Sequence, residues 1–280
     1  MKLAFSTNAF VSFSVIDAVE EIAAIGYEGV EILADIPHLY PYSVDDSELK
    51  KLLAVLGRSG LEVANLNANT AVGYYGRSFW EPLFEPSLAN PDPTARAWRV
   101  GYTKRCMDLA RLLGCSNISI TSGRSVPGSS PDTALKLLRE SLETVLEYAE
   151  KTGIRVGMEY EPGLLVERYD ELRDLIDEMR SPLLGANLDL GHSHVLGEDP
   201  ESVIAGLSSR IFNLHIEDIQ SRKHYHLIPG LGDIDFRGLF EILERHAYDG
   251  FATVELYTYP QHPGDAARRS LSYLQGLRKG

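Results

Sequence analysis

The stretch Gly185–Gly197, GANLDLGHSHVLG, poses the question on which the fold turns. A short apolar run ends in Asp189, a glycine and two histidines. It reads either as a strand running into a metal site or as a helix cap followed by a polar loop. Working outward, runs of the same length recur: KLAFS, GVEIL, LEVANLNA, NISITS, RVGMEYEP, GANLDLG, IFNLHIED and FATVELY. Each is rich in β-branched and apolar residues, and amphipathic helical patterns separate them. In VIDAVEEIAAIG the apolar positions Val15, Ala18, Val19, Ile22 and Ala23 form one stripe that stops at Gly26. SPDTALKLLRESLETVLEYAEKTG opens with Ser-Pro-Asp and closes at Gly153. Eight βα units in 280 residues average roughly 35 residues each, which suits an α/β fold of the (β/α)₈ TIM-barrel type in a single domain, 1–280. The competing open doubly wound sheet calls for a glycine-rich phosphate turn after the first strand, and STNAF has none.

Composition narrows the function. Apolar residues make up 44% and charged residues 24%, an ordinary globular balance, and the formal net charge is −13. That charge argues against nucleic acid as partner, because phosphate-backbone binders present a basic face. Cys106 and Cys115 form no CxxC pair and read as buried thiols of a reducing cytoplasm. The N-terminal MKLAFSTNAF lacks the apolar region of a signal peptide, and no run is long enough to span a membrane, so a cytoplasmic location is expected. The connection Asn69–Asp92 is too long and aromatic for a plain βα turn. It is expected to fold over the barrel mouth, where Tyr74, Tyr75, Phe79 and Trp80 either wall a substrate or staple the loop down.

Barrel chemistry belongs at the C-terminal ends of the strands. Four consecutive strands end alike: Glu159 and Glu161 in GMEYE, Asp189 and His192 in NLDLGH, His215, Glu217 and Asp218 in NLHIED, and Glu255 in TVELY. Alternation puts Glu159 and Glu161 on one face, leaving Glu161 as a competing ligand, and likewise pairs His215 with Glu217. A single strand-end glutamate is usually a solvated rim residue and a single histidine a satisfied core group. Four such ends in register would bury charges at high cost unless a divalent cation neutralised them. Two glutamates, an aspartate and an imidazole make an oxygen-rich shell suited to Mn²⁺ or Mg²⁺, with Co²⁺ or Zn²⁺ as alternatives. Asp189 then ends a strand, Gly191 lets the backbone turn, and His192 swings to the same mouth, while His194 stays at the rim.

These residues resemble the xylose-isomerase-like TIM-barrel superfamily, which includes sugar isomerases and epimerases and the endonuclease IV-type enzymes (AP endonuclease family 2). The likeness runs through IGYEGVEI, DLARLLGCSNISITSG, GIRVGMEYEP, LDLGH, NLHIED and GLGDIDF. It implies metal ligation by Glu159, Asp189, His215 and Glu255, with Mn²⁺ the preferred ion. HYHLIPGLGDIDF places His224 and His226 before a glycine turn, and His226 resembles a histidine that with His192 helps hold an additional zinc in endonuclease IV-type relatives. The histidines another metal needs on strands three and four are absent, where the chain has NLNANT and ISITSG. One metal is therefore expected, with His192 and His226 beside the substrate and a partial second site as the alternative.

The resemblance further implies that Glu159 and Glu255 flank a keto sugar or related polyol. One removes a proton beside the carbonyl and the other returns it, through an enediolate that the metal stabilises. Epimerisation at C3 and aldose–ketose isomerisation share this chemistry. Rivals are a dehydratase or lyase on a related substrate, an endonuclease IV-like phosphodiester hydrolase, and a non-catalytic sugar-binding barrel. Arg124 is a candidate for holding a substrate hydroxyl, phosphate or carboxylate, or for pairing with a rim acid. Glu31 and Asn67 are candidates for the site floor, and Asp218 for orienting His226 or capping its loop. LYTYPQHPG after Glu255 offers no phosphate nest, so an unphosphorylated substrate is favoured. Relatives of this kind are often homo-oligomers.

Overall fold

The computed structural model describes residues 1–77 and 82–278. Phe79 and Trp80, expected on the long loop, lie outside the described residues. The eight expected strands are present as β1 (Lys2–Ser6), β2 (Gly29–Leu33), β3 (Glu62–Asn67), β4 (Asn117–Thr121), β5 (Arg155–Glu159), β6 (Leu184–Asp189), β7 (Ile211–Ile216) and, after a hairpin, β10 (Phe251–Val254). They form a closed parallel barrel in the order β1-β10-β7-β6-β5-β4-β3-β2. Ladders match Lys2 to Phe251 at the seam, Leu33 to Asn67, Thr121 to Glu159 and Asp189 to His215. This register brings the functional ends of the strands to one rim.

The outer layer holds α1 (Val15–Ile25), α2 (Asp46–Ser59), α3 (Val72–Tyr75), α4 (Pro93–Leu112), α5 (Pro131–Thr152), α6 (Tyr169–Met179), α7 (Leu190–Leu196), α8 (Pro200–Leu207), α9 (Phe236–Arg245) and α10 (Pro263–Arg278). Their boundaries follow from capping chemistry. Ser130 accepts the Thr133 N–H ahead of Pro131, and Gly153 ends α5 with φ 72°. Ser14 and Gly26 bracket α1 in the same way. A serine oxygen satisfies a free N–H at one end, and glycine takes the left-handed conformation at the other without a Cβ clash. Core side chains such as Phe5, Ile32, Leu66, Ile120, Met158 and Leu214 are fully buried. Both cysteines are free, buried thiols, their pKa values raised by burial. Among the described residues no helix is long and apolar enough to cross a membrane.

Two features depart from the expected pattern. IFNLHIED is not one strand, because β7 stops at Ile216 and a separate antiparallel hairpin follows, β8 (Asp218–Gln220) with β9 (Lys223–Leu227). Its turn residues Ser221 and Arg222 have φ of 53° and 54°. A two-residue hairpin turn demands this left-handed geometry, which usually announces itself by Asn-Gly or Asp-Gly. The second departure concerns Gly185–Gly197, where a strand runs directly into a helix with no polar loop between them. Asp189 ends β6 and is also the N-cap of α7, its Oδ1 accepting the His192 N–H at 2.8 Å.

Candidate functional site

The ends of β5, β6, β7 and β10 deliver four buried side chains to one point. Glu159, Asp189, His215 and Glu255 each offer a ligand atom, and these atoms all lie within 4.8 Å of one another. His215 Nδ1 is 3.2 Å from Glu159, 3.6 Å from Glu255 and 4.0 Å from Asp189. Its other nitrogen, Nε2, sits 2.6 Å from Glu31 Oε2. A histidine held by a carboxylate on one nitrogen is oriented to present the other, the usual arrangement behind a metal-ligating imidazole. Burial disfavours charge on His215, but the carboxylates of Glu255, Glu31 and Glu159 outweigh it and push its pKa well above the ordinary value. The reverse holds at Glu255, where burial, aided by Glu159, Glu31 and Asp189, drives the carboxyl pKa up against the pull of His215.

A layer of amides lies around the acids. Asn69 and Asn187 donate to Glu159 at 3.0 and 2.5 Å, and Asn8 and Asn67 donate to Glu255 at 2.8 and 3.1 Å. Asn213 donates to Asn187 at 2.8 Å and Asn65 to Glu31 at 2.8 Å. Asp189 Oδ2 is buried and accepts no hydrogen bond. A buried carboxylate oxygen with no donor, aimed at two more carboxylates and an imidazole, is the arrangement a divalent cation satisfies. The donor set fits such an ion.

Beside this cluster stand three imidazoles. His192 Nδ1 lies 3.0 Å from the Tyr160 carbonyl and its Nε2 3.1 Å from His224 Nε2. His226 Nδ1 donates to the Glu255 carbonyl at 2.8 Å, leaving Nε2 buried and unpartnered. Burial lowers the pKa of His192 and of His226 to about 3, so both rings are neutral near pH 7. The three can also be grouped as ligands, as can Asp189, Glu217 and His226, and Glu159, Glu161 and His192. Glu217 is fully buried with neither oxygen hydrogen-bonded, and burial beside Asp189 raises its pKa.

Glu159 and Glu255 of this cluster line a cavity of about 610 Å³ together with Asn67, Glu161, His192, His224 and His226 among others, while Asp189 and His215 are fully buried and outside that lining. One expectation is corrected, and for the other residues the structure chooses among the alternatives left open. Glu31 does not reach the floor of the cavity, because it is fully buried beneath His215 and positions that ring. Arg124 is exposed and does not line the cavity, and its backbone N–H donates to Glu85 at 3.1 Å. Glu161 lies past the end of β5 on a loop, its pKa raised by burial and by Glu159 and Asp189, yet it still faces the cavity. Asp218 caps its loop, accepting the N–H groups of Gly230, Gly232 and Ile234. Tyr74 and Tyr75 point outward, Tyr74 packing on Trp98 at 4.7 Å, so they staple rather than wall. Gly191 has no special φ, and its role is space: a Cβ there would fall 1.5 Å from a Glu217 oxygen. Asn67, expected at the floor, does line the cavity. The other amides were missed although the period-two pattern held the signal, since Asn187 and Asn213 share faces with Asp189 and His215.

A closed barrel whose strand ends gather buried acids and imidazoles at a cavity defines the class, a (β/α)₈-barrel enzyme. The chain belongs to the xylose isomerase-like TIM barrel family, whose profile matches residues 19–277. It is 25% identical to fructoselysine 3-epimerase of Escherichia coli O157:H7, over 99% of this chain and 98% of that protein. A D-tagatose 3-epimerase-like protein superposes with a TM-score of 0.82 at 22% identity, covering 100% of this chain and 99% of the other. The IOLI protein with a bound zinc atom superposes with a TM-score of 0.81 at 19% identity, covering 99% and 98%.

Proposed function

We propose that this chain is a divalent-metal-dependent 3-epimerase or isomerase of keto sugars or related polyols, working in the cytoplasm, with Glu159 and Glu255 as its proton-moving pair. The observation that carries the reading is the convergence of Glu159, Asp189, His215 and Glu255 on one point at the head of a cavity. Similarity along the whole length to a sugar 3-epimerase supports it. The four residues would hold the ion, with His215 offering Nδ1. Manganese is the preferred ion, since an oxygen-rich set with a single imidazole suits it, with magnesium, cobalt and zinc as alternatives. When bound, the ion supplies Lewis-acid polarisation of the substrate oxygens.

The chain's own groups do the rest. One of Glu159 and Glu255 takes the proton from the carbon beside the carbonyl and the other returns one, which inverts that centre. Which acts first depends on the epimer bound. The amides of Asn8, Asn67 and Asn69 hold both carboxylates in place, and the neutral His192 and His226 rings offer hydrogen-bonding nitrogens to substrate hydroxyls. The test is a panel of ketoses in D₂O with Mn²⁺-loaded protein, followed by NMR. Solvent deuterium should enter at one carbon as a new epimer or isomer accumulates. Equal rates in metal-stripped protein would refute the metal role, and a product that has lost water would assign the chain to a dehydratase instead.

A further inference from the structure

Resting on that reading, we infer that the substrate is a keto sugar carrying an apolar substituent without negative charge, rather than a free or phosphorylated ketose. The lining is of two kinds. Its acids and imidazoles come from the segments at and after β5, β6 and β10 and from β9. The loops that follow β1, β2 and β3 add the apolar Val11, Ile36, Pro37, Val72, Pro82 and Phe84, beside the polar Asn8, Ser12, Asn69 and Thr70. At about 610 Å³ the space falls in the range of ~300–1,000 Å³ typical of pockets that enclose drug-sized ligands, more than one sugar ring fills. Val11 is 39% exposed at the rim, apolar surface that a ligand would remove from water.

Charge gives the second, independent line. Among the described residues lining the cavity there is no lysine or arginine, and the Arg124 guanidinium, whose charge acts on the lining Glu161, stands outside that lining. Phosphate and carboxylate recognition calls for guanidinium, ammonium or free helix-terminal N–H groups. The end of α7 next to the cluster is already capped by the Asp189 carboxylate. Glu161 adds a further acid to the lining beyond the four-residue cluster. An anionic tail would thus meet acids and apolar carbon, and an apolar one would meet matching apolar side chains.

The described parts of the loops that carry these residues are tied to one another. Asp35 accepts from Thr70 Oγ1 at 2.6 Å, Val72 N–H at 2.7 Å and Gly73 N–H at 2.6 Å. The Ala71 N–H donates to the Leu83 carbonyl at 2.6 Å, closing the base of the segment that carries Pro82 and Phe84.

Three matched substrates test the inference with Mn²⁺-loaded protein: a ketohexose, its terminal phosphate ester and its terminal benzyl ether. Deuterium incorporation gives kcat/KM for each, and calorimetry on the corresponding alditols gives affinity without turnover. The benzyl ether should exceed the free sugar by at least about tenfold in both measurements, with the phosphate ester at least as far below it. Phe84→Arg should move the benzyl-to-free ratio toward one and improve the phosphate ester. A phosphate ester that outperforms the others, a benzyl ether no better than the free sugar, or a ratio unmoved by Phe84→Arg would overturn it. If no sugar exchanges deuterium while the alditols keep the expected ranking, the epimerase reading fails and the ligand class stands.

Discussion

Glu159 and Glu255 are the side chains on which the chemistry depends. Glu159→Gln and Glu255→Gln should each lower kcat by about 10²–10⁴, the usual worth of a positioned acid or base, with the circular dichroism of the fold retained. Glu31→Gln tests a different role, because Glu31 touches His215 and not the cavity. It should weaken metal affinity by about 10–100-fold, measured by competition with a chelator, and excess metal should restore turnover. The pH dependence of stability has a reporter in His38, away from the acids. Its ring is buried, with Nδ1 3.1 Å from Thr7 Oγ1 and Nε2 3.2 Å from the Phe10 carbonyl, and burial lowers its pKa to about 4. Below its ordinary pKa of 6.5 the unfolded chain takes up a proton that the native ring refuses. Stability from this group is therefore lost as pH falls from about 6.5 toward 4, and His38→Gln should lessen the slope of that part of the urea-midpoint profile, to which His192 and His226 also contribute. The acidic and imidazole residues of this site could be read in the sequence because four strands ended alike. Glu31 could be seen but not placed, since alternation assigns a face of the strand and not a depth.

Elements carry the next constraints. In α7 the absence of a side chain at Gly191 makes room for Glu217. Gly191→Ala should destabilise by about 1–3 kcal/mol through overpacking. Combined with Glu217→Ala the cost should fall well short of additive, which denaturation of the double-mutant cycle would read. The sequence showed that a glycine mattered there but suggested a turn, because close approach by a residue 26 positions later is not a local signal. In the loop after β2, Asp35→Ala removes the acceptor of three hydrogen bonds from the β3–α4 connection. The expected loss is about 1.5–3 kcal/mol, with earlier protease cleavage near residues 70–77 as the local readout. The β8–β9 hairpin escaped detection for a related reason. Its strands are three and five residues long and its turn lacks glycine, so tertiary packing selects a geometry that local preference does not announce.

At the scale of the molecule, the alternation of strands and helices was legible because eight units repeat one pattern, and capping residues marked many of the helix ends. What could not be read was how the interior polar layer connects. Ser6 donates to Glu31 at 2.8 Å, Asn8 reaches Glu255 after a sequence gap of 247 residues, and Asn213 lies 3.3 Å from Glu31. The network therefore draws on β1, β2, β3, β4, β5, β6, β7 and β10, on both sides of the seam where Lys2 pairs with Phe251. Binding a cation to such a site should stabilise the fold as a whole, by about 2.7 kcal/mol at a hundredfold excess over Kd, and chelation should lower Tm accordingly. That network also makes the centre a check on assembly. A chain whose first and last strands have not zipped together lacks the contacts that Ser6 and Asn8 bring to Glu31 and Glu255. Titrating bound ion against total protein would then count correctly closed molecules, and a batch that has collapsed without closing would show its defect as missing sites.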